Sequence, residues 1–187
     1  DLGTTWGEAL LTPTRLYTAP LLRVIDEFAG ASTGSATAPI HSLSHVTGGG
    51  IAANLARVLP QGSWAEVDRS TWSPAPVFRV LSDIAGTSLE SSEGTWNLGI
   101  GFLAVVDAVS AAAIADALTA GGIDTWPVGT VHLDARAERP ADESDSPRPL
   151  DTSLARRAET GGEWTLGAKG VDGGAVRLVG NYREGGN

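Results

Sequence analysis

Residues 45–60 read HVTGGGIAANLARVLP and join a run of three glycines to the start of a predicted helix. Glycine has no Cβ, so its backbone accepts positive φ angles and comes close to a ligand. The N–H groups of a first helical turn lack partners within the helix and can point at an anion. The stretch therefore predicts a short strand from His41 or Ser42 to Val46, a phosphate-binding turn over residues 47–50, and a helix from Ile51 to about Leu59. The alternative is that the glycines serve only a tight strand-to-helix turn, and both interpretations stay open here.

Hydrophobic periodicity around this stretch predicts further helices and strands. Predicted helices begin near Pro13, after Pro76 and at Ala111, and predicted strands cover residues 64–68, 98–106 and 126–133. The strand over 98–106 is apolar on both faces, which is typical of a central strand, and its glycines indicate close backbone approach. Because strands alternate with helices, the predicted fold class is α/β or α+β, with a mixed sheet packed against helices.

The composition changes after residue 133. Residues 134–157 are polar and contain Pro140, Pro147 and Pro149, as in a linker. Residues 164–171 and 175–182 flank Asp172-Gly173-Gly174, which is a hairpin signal. We therefore expect a first unit over residues 1–133 and a second over 134–187, made of a polar linker and a possible terminal hairpin.

Composition excludes several classes of function. The 187 residues carry a formal net charge of −9, which argues against nucleic-acid binding because that affinity depends on Lys and Arg. The chain has no cysteine, which excludes disulfides, thiolate nucleophiles and Cys-based zinc sites. No run approaches the roughly 20 apolar residues of a membrane span, and residues 1–5 lack signal-peptide features. We expect a cytoplasmic protein without membrane contact, and the absence of methionine, at position 1 as elsewhere, leads us to expect part of a longer or processed chain.

Five stretches in a fixed order resemble the C-terminal domain of the phosphoribosylformylglycinamidine cyclo-ligase family, the aminoimidazole ribonucleotide synthetases. They are residues 10–17, 45–50, 54–60, 68–72 and 95–102, with a fainter match at 124–129. Five ordered motifs are far more specific than one glycine loop. Two departures from the family pattern stand out: Ala53 replaces a frequent Glu, and Glu93-Gly94 replaces a usual Tyr-Arg pair.

The resemblance implies an enzyme with two halves, of which this chain resembles the second. It implies that the complete enzyme uses ATP and Mg²⁺ to activate the formyl oxygen of formylglycinamidine ribonucleotide, after which the imidazole ring closes and phosphate leaves. The first half of the family's enzyme supplies most of the ATP site and the core of the homodimer. The expected partners are therefore that N-terminal half, the ribonucleotide and a second subunit, and we expect no catalysis by this chain alone.

The candidate site residues lie in or beside the matching motifs. His45 is the candidate catalytic residue, and the candidates for substrate or phosphate binding are Thr47, Gly48, Gly49, Gly50, Asn54, Asn97 and Gly99. Beside a phosphate, His45 suits electrostatic support better than base catalysis, because the anion favours the charged imidazole. Asn97 either directs a hydrogen bond into a cleft or caps a turn. No residue is assigned as a metal ligand.

Two other functions stay open from the sequence. One is another ATP-using enzyme of the same superfamily, such as formylglycinamidine ribonucleotide synthetase, selenophosphate synthetase or a thiamine-phosphate kinase. The other is a binding module that keeps the fold and the phosphate loop without chemistry. Leu-Thr-Pro-Thr-Arg at residues 11–15 and the Leu-Pro end of the helix before residue 61 favour the cyclo-ligase.

Overall fold

A computed structural model of the chain describes residues 3–29, 38–133, 164–166 and 173–184. In these ranges the helices are α1 (Trp6–Leu10), α2 (Thr18–Ala29), α3 (Gly50–Ala56), α4 (Pro76–Ala85) and α5 (Ala111–Ala120). The strands are β1 (Ile40–His45), β2 (Ser63–Asp68), β3 (Phe102–Val106), β4 (Gly129–Leu133), β5 (Trp164–Leu166) and β6 (Ala175–Val179). The predicted fold class, a mixture of sheet and packed helices, is confirmed.

The strands form two sheets. A two-stranded antiparallel ribbon pairs β1 with β3, and a four-stranded sheet has the order β4-β2-β6-β5. In the larger sheet β2 and β6 are parallel, while the two outer pairings are antiparallel. The larger sheet is therefore mixed, as the sequence predicts.

Two hydrophobic cores lie on opposite sides of the β1–β3 ribbon. Leu103 and Val105 of β3 join the larger core, which contains α3 and the inner residues of β2 and β6. Phe102 and Val106 join the smaller core formed with α2 and α5. Since successive side chains of a strand point to opposite faces, β3 contributes to both cores, and its apolar pattern on both faces is explained.

The first predicted helix begins later than expected. Residues 12–17 have no regular secondary structure, and α2 starts at Thr18, so the predicted entry at Pro13 is wrong. Pro20 supplies the reason, because a proline is tolerated in a first helical turn but would interrupt a helix that had begun seven residues earlier. The short helix α1 was not predicted, although Thr5 and Glu8 form a capping box at its start.

Helix α3 ends at Ala56 rather than near Leu59. Pro60 disfavours helical geometry in the residue before it. The carbonyl oxygens of Ala56 and Leu59 both accept from the Gly174 N–H, at 3.1 and 2.9 Å. The chain after the helix is thus held by the segment that leads into β6.

The predicted strand over residues 98–106 is a turn followed by a shorter strand. Leu98 and Gly99 have φ angles of 47° and 98°, which no strand accommodates, and β3 starts at Phe102. The strand also lies in the two-stranded ribbon, so the prediction of a central strand is wrong. Hydrophobicity alone did not reveal the turn.

The other helix limits follow their local sequence. Helix α4 starts with Pro76 and ends at Ala85, and the φ of 63° at the next residue, Gly86, is typical of a glycine C-cap. Helix α5 begins at Ala111 as predicted, and the Ser110 side chain before it makes no capping hydrogen bond. No helix in the described ranges has both the length and the apolar character needed to cross a bilayer.

The strands after residue 133 join the same sheet as β2. Strand β6 lies between β2 and β5, and Ala175, Val176 and Leu178 are buried. Strand β5 is antiparallel to β6. The expected boundary at 133/134 therefore falls between two strands of one sheet, and the predicted linker over 134–157 lies outside the described residues.

Candidate functional site

The glycine loop, residues 47–50, connects β1 to α3 as predicted. Gly49 and Gly50 have φ angles of 97° and 66°, which other residues rarely adopt. The Gly50 N–H donates to the Thr47 carbonyl at 3.1 Å and closes the turn. Within the described chain, the N–H groups of Gly48 and Gly49 donate to no protein acceptor. Thr47 and Gly48 are exposed, so this side of the loop is open to a ligand.

The inner side of the glycine loop is held by two residues. Asn54 is 4% exposed, and its Nδ2 donates to the carbonyl oxygens of Gly50 at 2.7 Å and of Thr47 and Gly48 at 3.3 Å. A Cβ at Gly50 would overlap the backbone carbonyl of Glu93. The Asn54 amide group is therefore engaged by the loop itself, and Gly50 is required by the close approach of a neighbouring segment.

His45 ends β1 beside the loop, and its side chain is exposed. Its ring stacks on Phe102 with centroids 5.9 Å apart and lies 6.2 Å from the ring of Tyr17. The Tyr17 hydroxyl occupies the space that a Cβ at Gly101 would fill. The close approach predicted from the glycines near β3 thus occurs at Gly101, and aromatic contacts orient the imidazole.

A second turn, residues 97–99, lies next to the glycine loop. The Asn97 Oδ1 accepts from the Gly99 N–H at 3.1 Å, so of its two predicted roles the side chain performs the capping of a turn. Leu98 is completely buried, and its carbonyl accepts from Trp72 Nε1 at 3.1 Å. Gly99 is exposed, and a Cβ on it would meet nothing within 4 Å.

The structure brings these two turns to the same end of the β1–β3 ribbon. His45 pairs with Phe102 across the ribbon, and the Val46 N–H donates to the Gly101 carbonyl at 3.0 Å. The sequence-predicted site residues therefore lie at the end of β1, in two adjacent turns and in α3. The exposed members are His45, Thr47, Gly48 and Gly99.

Behind the turns lies a buried cluster, Arg69, Glu93 and Tyr182, that sequence reasoning missed. The Arg69 guanidinium donates twice to the Glu93 carboxylate, from Nε at 2.5 Å and from Nη2 at 2.8 Å. The Tyr182 hydroxyl donates to the same carboxylate at 2.5 Å. The Arg69 and Glu93 side chains are only 7% and 10% exposed. The one sequence signal was the Glu93-Gly94 departure from the family pattern.

Burial and hydrogen bonding raise the pKa of two groups in the buried cluster. Burial, reinforced by the hydrogen bond to Glu93, raises the pKa of the Tyr182 hydroxyl well above its ordinary value. The hydrogen bonds to Glu93 raise the pKa of Arg69. At neutral pH Tyr182 therefore keeps its proton and donates a hydrogen bond to Glu93, and Arg69 remains charged.

Several polar and charged residues lie outside the two turns. Arg15 is 3.9 Å from Asp124 on the surface. Asp68 accepts from the Ser70 N–H at 2.8 Å, and this hydrogen bond lowers the pKa of the carboxyl. Arg57 follows α3 and is exposed, whereas Asn54 is buried. His41 bonds Asp107 at 2.8 Å and His132 stacks on Trp64, both away from the turns.

Known proteins have sequences similar to part of this chain. Residues 3–139 match the family model described as AIR synthase related protein, C-terminal domain. A Streptomyces fradiae protein with the provisional name phosphoribosylformylglycinamidine cyclo-ligase is 40% identical over 131 residues, which cover 70% of this chain and 66% of the relative.

Two longer relatives are named phosphoribosylformylglycinamidine cyclo-ligase. The protein of Thermosynechococcus vestitus is 38% identical over 68% of this chain, and that of Burkholderia ambifaria is 36% identical over 73%. The aligned part is 35% of the first relative and 36% of the second. The chain thus spans about a third of the length of these relatives.

Proposed function

The chain belongs to the family of AIR synthase related proteins through their C-terminal domain, and we propose that it is the substrate-binding part of an ATP-dependent cyclo-ligase of purine biosynthesis. Its substrate in this proposal is formylglycinamidine ribonucleotide, and its product aminoimidazole ribonucleotide. The names of the relatives support the ligase and its pathway. In this proposal the full activity also requires an N-terminal half. The complete protein is cytoplasmic and dimeric.

The glycine loop binds the ribose phosphate, or a phosphate in transfer, in this proposal. The observation that carries it is that the N–H groups of Gly48 and Gly49 donate to no acceptor in the described part of the chain and lie beside the exposed Thr47. Backbone N–H groups in such a concave turn bind anions without needing net positive charge, which suits an acidic chain. Asn54 and Glu93 hold the loop from behind, so its N–H groups keep their direction before a ligand arrives.

The second turn and His45 complete the proposed binding face. Gly99 has no side chain and lies beside the glycine loop, so a ligand can approach its backbone closely. Asn97 keeps this turn in shape through its bond to the Gly99 N–H. His45, oriented by Phe102, supports the negative charge of the phosphate electrostatically.

The described residues contain no group of three or more His, Cys, Asp or Glu side chains that could hold a metal. Mg²⁺ takes oxygen ligands in near-octahedral geometry, usually with one or two carboxylates and phosphate oxygens. In the proposal, ATP and Mg²⁺ are held mainly by the N-terminal half.

The test is reconstitution of ATP-dependent ring closure from the two halves. The 187-residue chain is assayed alone and mixed with the N-terminal half of the Thermosynechococcus vestitus relative, with formylglycinamidine ribonucleotide as substrate. We expect turnover only in the mixture. Turnover by the chain alone would contradict the proposal that full activity requires the N-terminal half. Binding of the ribonucleotide without turnover in any mixture would favour the second candidate, a binding module, which the partial coverage of the relatives keeps open.

His45→Asn tests the proposed electrostatic role in the reconstituted enzyme. We expect a decrease in kcat/KM of roughly a hundredfold, as for loss of one strong interaction with a charged group. His132→Asn, far from the turns on Trp64, is the matched control and leaves kcat/KM unchanged. Equal kcat/KM in both variants would remove His45 from the site.

A further inference from the structure

We propose that Tyr182 is a positioning residue, which acts through Glu93 to set the geometry of the glycine loop. The segment after β6 would then control ligand binding at a loop more than 130 positions earlier in the chain. Only this ligand-binding consequence rests on the proposed function. The effect on the loop itself stands on the contacts of the buried cluster.

Glu93 contacts the glycine loop through its backbone. Its carbonyl lies so close to Gly50 that a Cβ there would overlap it, and the Trp96 carbonyl is the next neighbour, 3.2 Å from the same point. Gly50 is in turn the residue whose N–H closes the loop on Thr47. A shift of Glu93 therefore moves the wall against which the loop packs.

The position of Glu93 is determined by its carboxylate. Arg69 binds both oxygens, and Tyr182 donates a further hydrogen bond to Oε1. Hydrogen bonds to an ionised group are shorter and stronger than neutral ones, and burial increases their contribution. Loss of the Tyr182 hydroxyl leaves Oε1 with Arg69 as its one partner in the described chain.

The segment that carries Tyr182 is itself fixed at several points. Gly180 accepts from Arg69 Nη1 at 3.4 Å, and the Arg183 N–H donates to the Trp72 carbonyl at 3.2 Å. The Tyr182 ring packs edge-on against Trp72, with centroids 5.3 Å apart. Because Trp72 also donates to Leu98, the same segment supports the second turn. Tyr182 is thus held in place by its surroundings and can fix the position of the Glu93 carboxylate.

The experiment measures amide hydrogen exchange by NMR in the 187-residue chain and in its Tyr182→Phe variant. The variant keeps the ring packing and removes one hydroxyl. We expect the Gly50 amide to exchange about tenfold faster, as for loss of a hydrogen bond to a charged group, while the Val67 amide in β2 changes much less. An equal increase at both amides, or none at Gly50, would overturn the proposal, because Tyr182 would then be purely structural.

Ser73→Ala is the matched control for the hydroxyl. Its Oγ donates to the Arg183 carbonyl at 3.1 Å, so it contacts the same segment without touching Glu93. We expect Gly50 exchange in this variant to stay as in the original chain, and acceleration as large as in Tyr182→Phe would overturn the proposal. Glu93→Gln, compared with the exposed Glu90→Gln, extends the test. If Glu93→Gln fails to fold, Tyr182→Phe still decides.

A titration with ribose 5-phosphate separates this inference from the proposed function. We expect Tyr182→Phe to bind it about tenfold more weakly than the original chain, if the loss in loop order is carried into binding. If neither protein binds ribose 5-phosphate while Gly50 exchange accelerates, the positioning role is supported and the proposed function fails. Unchanged affinity in a variant with unchanged exchange overturns the positioning role.

Discussion

The two turns of the candidate site reach the same unusual backbone geometry for different reasons. In the glycine loop both left-handed positions, 49 and 50, are glycines, so local sequence permits the conformation. In the second turn the first left-handed position is Leu98, with a φ of 47° and no exposed surface. There the surroundings impose the conformation, since Leu98 is buried and its carbonyl is bonded by Trp72. Strain in such a residue persists only where tertiary contacts outweigh it.

The largest effect is expected at the position where glycine is obligatory. Gly50→Ala adds a Cβ that overlaps the Glu93 carbonyl, at a φ of 66°. We expect the free energy of unfolding to fall by about 4 kcal/mol, from backbone strain and overpacking together. The measurement is urea denaturation. Gly48→Ala is the control, because its Cβ would meet nothing within 4 Å, and a loss as large as that of Gly50→Ala would show that contact with Glu93 is not the cause.

At Leu98 the comparison predicts an inverted order of two substitutions. Leu98→Ala should lower the free energy of unfolding by about 3 kcal/mol, because it leaves a cavity in the core. In the middle of a helix or strand, a glycine lowers the stability of the protein by about 0.5–1 kcal/mol relative to an alanine. Here the positive φ favours glycine, so Leu98→Gly should be at least as stable as Leu98→Ala in urea denaturation. A clearly less stable glycine variant would mean that Leu98 is not strained.

A smaller effect is expected from the side chain that caps the second turn. Asn97→Ala removes the acceptor of the Gly99 N–H, and we expect a loss of about 1 kcal/mol. Asn97→Asp keeps an oxygen at that position and should retain most of the stability. If thermal or urea unfolding finds both variants equally destabilised, the turn does not depend on this hydrogen bond.

The sequence predicted the features that depend on neighbouring residues. The glycine loop, β2, α4 and the start of α5 follow from glycine, proline and apolar spacing within a few positions. The turn at Leu98 was missed because an apolar run is typical of a strand, and nothing nearby indicates that Trp72 binds its carbonyl. The hydrogen bond between Glu93 and Tyr182 joins residues 89 positions apart, so no local pattern predicts it. The same limitation applies to the parallel pairing of β6 with β2.

The central claim, that the glycine loop binds the phosphate of the ligand, is tested most directly by an NMR titration of the chain with ribose 5-phosphate. Ribose at the same concentrations is the control without phosphate. We expect the Gly48 and Gly49 amide signals to shift most, because their N–H groups donate to no acceptor among the described residues, and we expect ribose to leave these signals unchanged. Shifts confined to residues away from the two turns, or equal shifts with ribose, would contradict it.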